Sequence, residues 1–308
     1  RFVLSAGHGS ALLYSLLHLA KVSAVGEQAM KDPSRKHAVT LEDLRTFRQL
    51  GSVCPGHPEY GLTSGVETTT GPLGQGLANS VGMALASRWL SARYDRDEAS
   101  FGFDVWALAG DGCVMEGVAS EAASLAGHQQ LGNLCWIYDR NEITIDGSTD
   151  ITFTEDVAGR FRSYGWNILE VADANDLAAV RAGLDAARAE RTKPTLLIIQ
   201  SHIGFGSPVV DSPKAHGEAL GAENVAKTKA ALGVPSEDFF VDPAAEQAFA
   251  DGIGARGGAA RATWTEQFAA YAAAHPALAT ELEALWAGEL PAGSIRSGRL
   301  VAPSTTTS

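Results

Sequence analysis

The chain has 308 residues and carries a formal net charge of -12, with no stripe of Lys and Arg able to neutralise successive phosphates, which argues against nucleic-acid binding. Its hydrophobic share of 45% is enough for one large α/β core or two small ones, yet no apolar stretch approaches the roughly 18 residues that a membrane span needs. Cys54, Cys113 and Cys135 are scattered and form no C-x-x-C pair, so neither a disulfide framework nor a zinc site is indicated, and a reducing cytoplasm is the expected home.

Phe2-Val3-Leu4 predicts a strand, and because Arg1 precedes it without Met or a leader-like segment, a missing N-terminal piece is expected. Gly7-His8-Gly9-Ser10 breaks this strand, and Ala11 to Leu19 carries apolar residues at helical spacing. Thr40 is an N-cap for a short amphipathic helix over 41–50, and a long Gly, Pro and Thr loop runs to Gly71. Loops of that length inside compact domains tend to be functional. Leu73 to Trp89, rich in Ala, Gly and Ser, predicts a closely packed helix that begins at Gly71-Pro72-Leu73-Gly74-Gln75-Gly76.

A buried strand over Val105 to Ala109 ends in Gly110-Asp111-Gly112 and leads into a helix from about Val114 to Gln130. The next strand, Leu134 to Tyr138, leads to Asp139-Arg140-Asn141. Trp166 to Val171 predicts a strand, 176–190 a helix opened by Asn175, and Thr195 to Ile199 a buried strand. This alternation implies an α/β fold, an open and mostly parallel sheet with helices on both faces. A second loop of Gly, Pro and His runs from Gly204 to Gly217. Beyond Asp242 the chain turns helical, with Trp264, Phe268, Tyr271, Leu278, Leu282 and Leu285 on a packing stripe. We expect one domain over 1–290 and a disordered tail over 291–308, where large apolar residues are few.

The chemistry concentrates where two adjacent strands end. Open parallel sheets bind ligands at the carboxyl ends of their strands, and a helix that starts there aims its N-terminal amides at an anion. Gly110 and Gly112 let the backbone approach such an anion without a Cβ in the way. Magnesium takes oxygen ligands and commonly binds through one or two protein groups plus substrate phosphates. Asp111 supplies a carboxylate and Asn141 an amide oxygen, and a backbone carbonyl from the turn after Asn141 could add a third ligand.

Each residue also has a simpler role. Asp111 could cap the following helix, Asn141 could start a turn, and Glu116 could interact with the helix N-terminus. His8, His57 and His216 sit in Gly-flanked loops where an imidazole can donate to phosphate or hydroxyl oxygens, although a lone loop histidine is often a solvated bystander. His18, His37, His128, His202 and His275 are read as bystanders. Gly252-Ile253-Gly254-Ala255-Arg256-Gly257 matches the dinucleotide fingerprint, but no β-like run precedes it, and no phosphate loop of the G-x-x-x-x-G-K-[ST] type occurs.

Six ordered blocks give the chain a specific resemblance to transketolase, in the N-terminal domain that holds the diphosphate of thiamine diphosphate. They are Leu4 to Tyr14, Pro55-Gly56-His57-Pro58-Glu59, Thr70 to Gly76, Gly110 to Gly117, Asn141 to Gly147, and Ile203 to Gly217. The resemblance implies that Asp111, Asn141 and the Ile143 carbonyl bind Mg2+ (or Ca2+ or Mn2+). It places Gly110, Gly112 and His8 at the diphosphate and Gly71 and Leu73 toward the aminopyrimidine, with Leu73 and Ile145 bracketing the cofactor and Pro72 also among the cofactor-binding residues. It makes His57 and His216 contacts to the ketose donor, His216 also touching the cofactor, and Glu116 part of a carboxylate relay to a partner subunit.

The implied reaction moves a two-carbon ketol unit between sugar phosphates, as in the pentose phosphate pathway. It calls for a pyrimidine-binding domain or subunit and hence a homo- or hetero-oligomer, most simply a dimer. Dihydroxyacetone synthase activity and a non-catalytic cofactor-binding fragment are the alternatives. The chain departs from the family by lacking its upstream Gly-His-Pro segment, by its tail after about Gly293, and by Glu142 in place of a basic residue or His.

Overall fold

The computed structural model describes residues 1–96 and 99–290, together with the backbone of 295, 296, 299 and 300. The chain divides into two compact units, one of residues 1–88 and 103–255, the other of residues 89–102 and 256–308.

The first unit opens with strand β1 (Phe2–Leu4), a 3-10 turn (Gly7–Gly9) and helix α1 (Ser10–Leu19), as the sequence predicts. Short helices α2 (Gly26–Lys31) and α3 (Leu41–Arg45) follow. Thr40 caps α3 in a capping box with Asp43, but this helix stops at Arg45 instead of running to residue 50. The Thr46 hydroxyl donates to the Asp43 carbonyl, a local bond that competes with further helix, and Arg48 turns left-handed at φ 65°. Helix α4 (Gln75–Tyr94) starts two residues later than expected and extends past Trp89.

Strand β2 (Val105–Gly110) passes directly into α5 (Asp111–Met115). Extended backbone at Glu116 (ψ 140°) separates α5 from α6 (Gly117–His128), where one helix was expected. Then come β3 (Leu134–Arg140), a 3-10 turn (Thr149–Ile151), α7 (Val157–Ser163), β4 (Asn167–Val171), α8 (Leu177–Ala189) and β5 (Thr195–Gln200). Asp176, not Asn175, caps α8, because its carboxylate accepts from the N–H groups of Ala178 and Ala179. The unit continues through α9 (Pro213–Gly217), α10 (Gly221–Ala231), α11 (Pro243–Phe249) and a π-type turn (Ala250–Gly254). His216 therefore lies in a short helix opened by Pro213, not in a loop. The Gly252 to Gly257 run is helical backbone preceded by α11, not by a strand.

Among the described residues β1 to β5 form one parallel sheet in the order β1-β2-β3-β5-β4. Alternate side chains feed two cores. Val105, Ala107 and Ala109 of β2, Trp136 and Tyr138 of β3, and Leu196 and Ile198 of β5 pack with Leu77 and Val81 of α4, Ala119 to Ala126 of α6 and Phe161 of α7. Cys135, Leu197 and Ile199 face the other way, toward Ala187 and Leu184 of α8, while Leu4 and Leu108 meet Tyr14 and Leu17 of α1. A sheet covered on both sides needs the continuous apolar run that Thr195 to Ile199 supplies. The buried indoles are satisfied: Trp136 donates to Ser80 Oγ at 2.8 Å and Trp166 to the Ala123 carbonyl at 2.8 Å.

The second unit contains the end of α4, helices α12 (Ala255–Ala274) and α13 (Pro276–Trp286), and two short antiparallel strands, β6 (Ile295–Arg296) and β7 (Arg299–Leu300). Its core takes in the predicted stripe except Trp264, which is exposed and stacks on Phe268: Tyr271 and Leu282 are buried among Phe268, Leu278 and Leu285 against Tyr94 and Phe101. Arg93 and Tyr94 both bond Glu281, at 2.7 Å each for the closest atoms. Apart from the backbone of β6 and β7, the expected tail over 291–308 lies outside the described residues. No helix among the described residues is long and apolar enough to cross a membrane.

Candidate functional site

A cavity of about 920 Å3 opens in the first unit at the carboxyl ends of β1, β2, β3 and β5. Parallel pairing sets Gly110 of β2 beside Asp139 of β3, so the residues that follow each strand emerge side by side. Asp111, the first residue of α5, is only 4% exposed. Its Oδ1 accepts the Tyr138 hydroxyl at 2.6 Å, and its Oδ2 accepts the backbone N–H groups of Asn141 and Glu142 at 3.1 Å each. The two chain segments are thus joined through one carboxylate. Burial, reinforced by the Asp111 charge, pushes the Tyr138 phenol well above its ordinary range, so that it stays a donor.

Asn141 turns the chain into the cavity. Its Oδ1 accepts the N–H of Ile143 at 3.1 Å, and Glu142 between them adopts a left-handed φ of 62°. The loop closes on itself: Thr149 N–H donates to the Glu142 carbonyl at 2.9 Å and Thr144 N–H to the Gly147 carbonyl at 2.7 Å. This leaves Ile145 65% exposed on the rim, against Gly217 of the His216 helix.

Glycine makes the floor. A Cβ on Gly110 would meet nothing within 4 Å, so this backbone faces open cavity. A Cβ on Gly112 would stand 2.8 Å from Leu73 Cδ1, which shows how closely the 71–74 turn covers the start of α5. Gly74, at φ 79°, lies against Glu116 in the same way. Ser5 fastens these pieces together, because its hydroxyl donates to Cys113 Sγ at 3.3 Å and accepts from Leu77 N–H at 3.1 Å.

The imidazoles of His8 and His216 stack with centroids 5.1 Å apart. His8 as a residue is exposed, yet its ring borders the cavity, where desolvation holds its pKa below the ordinary histidine value and His216 and His57 add to the effect. The buried Nδ1 of His216 has no hydrogen-bond partner. The His57 loop is anchored from behind by Ser10, which donates to the Gly56 carbonyl at 2.8 Å, and by Tyr14, which donates to the Pro55 carbonyl at 3.0 Å.

Of the residues singled out in the sequence, His8, Leu73, Gly110, Asp111, Gly112, Glu116, Asn141, Ile143, Ile145 and His216 line this one cavity. His57, Gly71 and Pro72 are not on its wall. His57 packs over Gly71 instead, with its ring 3.6 Å from where a Gly71 Cβ would be, and reaches the cluster through the charge environment of His8.

The structure adds Asp139, Ser201 and His202 to the cavity wall. Ser201 donates to Asp139, whose carboxyl is raised by burial, lowered by the Ser201 bond, raised by Asp111 and lowered by the Asn141 side chain. His202, read from sequence as a bystander, holds Asp211 through Nδ1 at 2.7 Å. The sequence signal for Asp139 was its place two residues before Asn141 at a strand end, but only strand register shows that it shares the cavity.

The donor set is chemically consistent with a hard divalent cation. Asp111, the second lone pair of Asn141 Oδ1 and the nearby Ile143 carbonyl are all oxygens, and the glycine floor leaves room for phosphate oxygens to complete a shell. Among the described residues no group of three His, Cys, Asp or Glu side chains could hold a metal by itself, so any cation here would depend on amide, carbonyl and ligand oxygens.

The chain is similar in sequence and in fold to known proteins. The family described as transketolase, thiamine diphosphate binding domain, matches residues 1–291. The chain is 48% identical to the transketolase of Streptococcus pyogenes over 294 residues, covering 94% of this chain and 38% of that protein. It is 47% identical to the transketolase of Geobacillus stearothermophilus over 300 residues, covering 95% and 42%. Among solved structures, a transketolase from Leishmania mexicana superposes with a TM-score of 0.87 at 41% identity, covering 95% of this chain and 42% of that one. A Pichia stipitis transketolase in complex with sedoheptulose-7-phosphate gives 0.86 at 44%, covering 95% and 41%. The chain therefore spans about two fifths of the length of the relatives it matches.

Proposed function

The chain belongs to the transketolase family through its thiamine-diphosphate-binding domain, and from that premise we propose that it supplies the diphosphate and metal half of a ketol-transferase site. The observation that carries this reading is the convergence of Asp111 and Asn141, from the ends of two neighbouring strands, on one glycine-floored cavity. Asp111, Asn141 Oδ1 and the Ile143 carbonyl would hold Mg2+. Gly110 and Gly112 would admit the diphosphate, with His8 donating to it. Leu73 and Ile145 would bracket the cofactor, with Gly71 and Pro72 supporting the turn that carries Leu73.

When bound, thiamine diphosphate supplies the carbon nucleophile and the electron sink for breaking and forming carbon–carbon bonds. The protein's share is to bind, orient and exclude water. A neutral His8 donates one N–H to a phosphate oxygen without bringing a second cation against the metal. The unpartnered His216 Nδ1 is suited to a hydroxyl of the donor ketose, and His57, which shares the charge environment of His8, would contact the same sugar. A buried polar atom left unpaired costs free energy that a ligand hydrogen bond would offset. Glu116, exposed on the cavity rim at the break between α5 and α6, would face a pyrimidine-binding partner, and sugar phosphates would enter between the two. Three free, buried cysteines are in keeping with a cytoplasmic protein.

Titration calorimetry of the full chain with thiamine diphosphate and Mg2+ tests this reading. Saturable binding that needs both ligands and is lost in Asp111→Ala is expected. Binding that ignores this substitution would remove the metal assignment. Adding a pyrimidine-binding domain of the family should then yield ketol transfer between sugar phosphates.

A further inference from the structure

His57 stands exposed on a loop, yet the backbone beneath it is held at every carbonyl from Cys54 to Pro58. The Cys54 carbonyl takes the Arg48 N–H at 2.9 Å, and the Pro58 carbonyl takes the Thr70 N–H at 3.2 Å. Between them, Ser10 donates to the Gly56 carbonyl at 2.8 Å, and the Tyr14 hydroxyl is shared between the carbonyls of Pro55 at 3.0 Å and His57 itself at 3.4 Å. Loops are ordinarily the mobile part of a fold. This one is pinned, and Pro55 and Pro58 stiffen it further by locking φ on either side of Gly56 and His57.

Ser10 and Tyr14 lie one turn apart on α1, so they leave the helix on the same side, and both are fully buried. Burial, with Cys54 and Glu59 adding to it, pushes the Tyr14 phenol well above its ordinary range, so that it stays a donor. The turn that carries His8 leads straight into α1. One helix thus joins His8 at its start to the His57 loop along its side. We propose that Tyr14, assisted by Ser10, is a positioning residue that fixes the His57 imidazole at a set spacing from His8, so that the donor ketose meets a preformed site. This assignment rests on the reading of His57 as a contact to that sugar and deepens it. An imidazole already held in place can bind a hydroxyl without first giving up the freedom of its loop, and affinity gains by that difference. His57 lies off the wall of the cavity proposed for the cofactor, so thiamine diphosphate and Mg2+ should not register the change.

The test is Tyr14→Phe in the full chain, which leaves the ring packed and removes the shared hydrogen bond. Backbone 15N relaxation at Gly56 and His57 should show the order parameter falling from about 0.85 toward about 0.6. Calorimetric affinity for thiamine diphosphate with Mg2+ should stay within about twofold of the unsubstituted chain, as expected of independent sites. With a pyrimidine-binding domain of the family added and sedoheptulose 7-phosphate as the donor, the donor KM should rise about 3- to 10-fold, the equivalent of one hydrogen bond, with kcat little changed. In a His57→Ala background, Tyr14→Phe should add nothing to the loss.

An unchanged order parameter, an unchanged donor KM, or a full further loss in the His57→Ala background would each overturn the proposal. So would cofactor affinity that falls in step with donor affinity, the mark of a general loosening of the fold. If Tyr14→Phe does not fold, Ser10→Ala replaces it under the same readouts, since it frees the Gly56 carbonyl alone. Absence of ketol transfer by the unsubstituted chain with its partner domain would sink the reading of His57 as a sugar contact and this inference together. Transfer that is indifferent to Tyr14 would sink only the inference.

Discussion

Three donors converge on the Asp111 carboxylate, and the Tyr138 hydroxyl is the one whose removal can be tested cleanly. Tyr138→Phe keeps the ring in the core and leaves a buried carboxylate oxygen short of a partner, which should cost about 1.5–3 kcal/mol of stability in urea unfolding. His8 offers a pH test. Its folded-state pKa is depressed, so above the unfolded value both states are neutral, and as pH falls below it the unfolded chain takes up a proton that the folded chain resists. Stability should therefore fall as pH drops through the unfolded value near 6.5 toward the folded one, and thermal melts of His8→Gln should show a shallower acid decline. Asp111 and Asn141 were legible in the sequence because each is a lone oxygen-bearing residue just past an apolar run, with glycines around the first. Asp139 was not, since its partner Ser201 is 62 residues away and only strand register joins them.

Elements meet at backbone distances that sequence does not announce. A Cβ on Gly127 of α6 would lie 1.8 Å from the Tyr164 carbonyl oxygen, which is main chain and cannot rotate aside. Gly127→Ala should therefore exceed the usual overpacking cost of about 1–3 kcal/mol, measured by urea unfolding, while Gly117→Ala, with nothing within 4 Å, should be mild. The parallel strands were readable from their length and apolar content, as was the packing stripe of α12 and α13 apart from Trp264. Helix ends were less so. Glu116 continues a helical pattern yet is extended, because the chain must bend between α5 and α6 over the Gly74 turn. Asp176 and Asn175 are equally good caps by type, and only geometry chooses between them. Pro213 at a helix start was a signal for α9 that the surrounding Gly, Pro and Ser obscured.

For the molecule as a whole, a ligand that binds only the folded state must raise its stability. Thiamine diphosphate with Mg2+ at a hundred times its dissociation constant should add about 2.7 kcal/mol to unfolding, and chelating the metal should remove it. Asp111→Ala should show no such gain. The net charge of -12 gives no long-range attraction for an anionic cofactor, so capture falls to local oxygens and amides, and association should vary little with salt beyond what the Mg2+ complex itself requires. The Gly110 to Asp139 pairing bears also on how the molecule comes to exist. A slip of one residue between these two strands would turn Asp139 to the opposite side of the sheet and carry Asn141 away from its anchor, leaving nowhere for a vitamin to lodge. Occupancy of the pocket thus reports that the chain has threaded correctly, and cofactor supplied during refolding should enrich the properly paired product over its misregistered competitors.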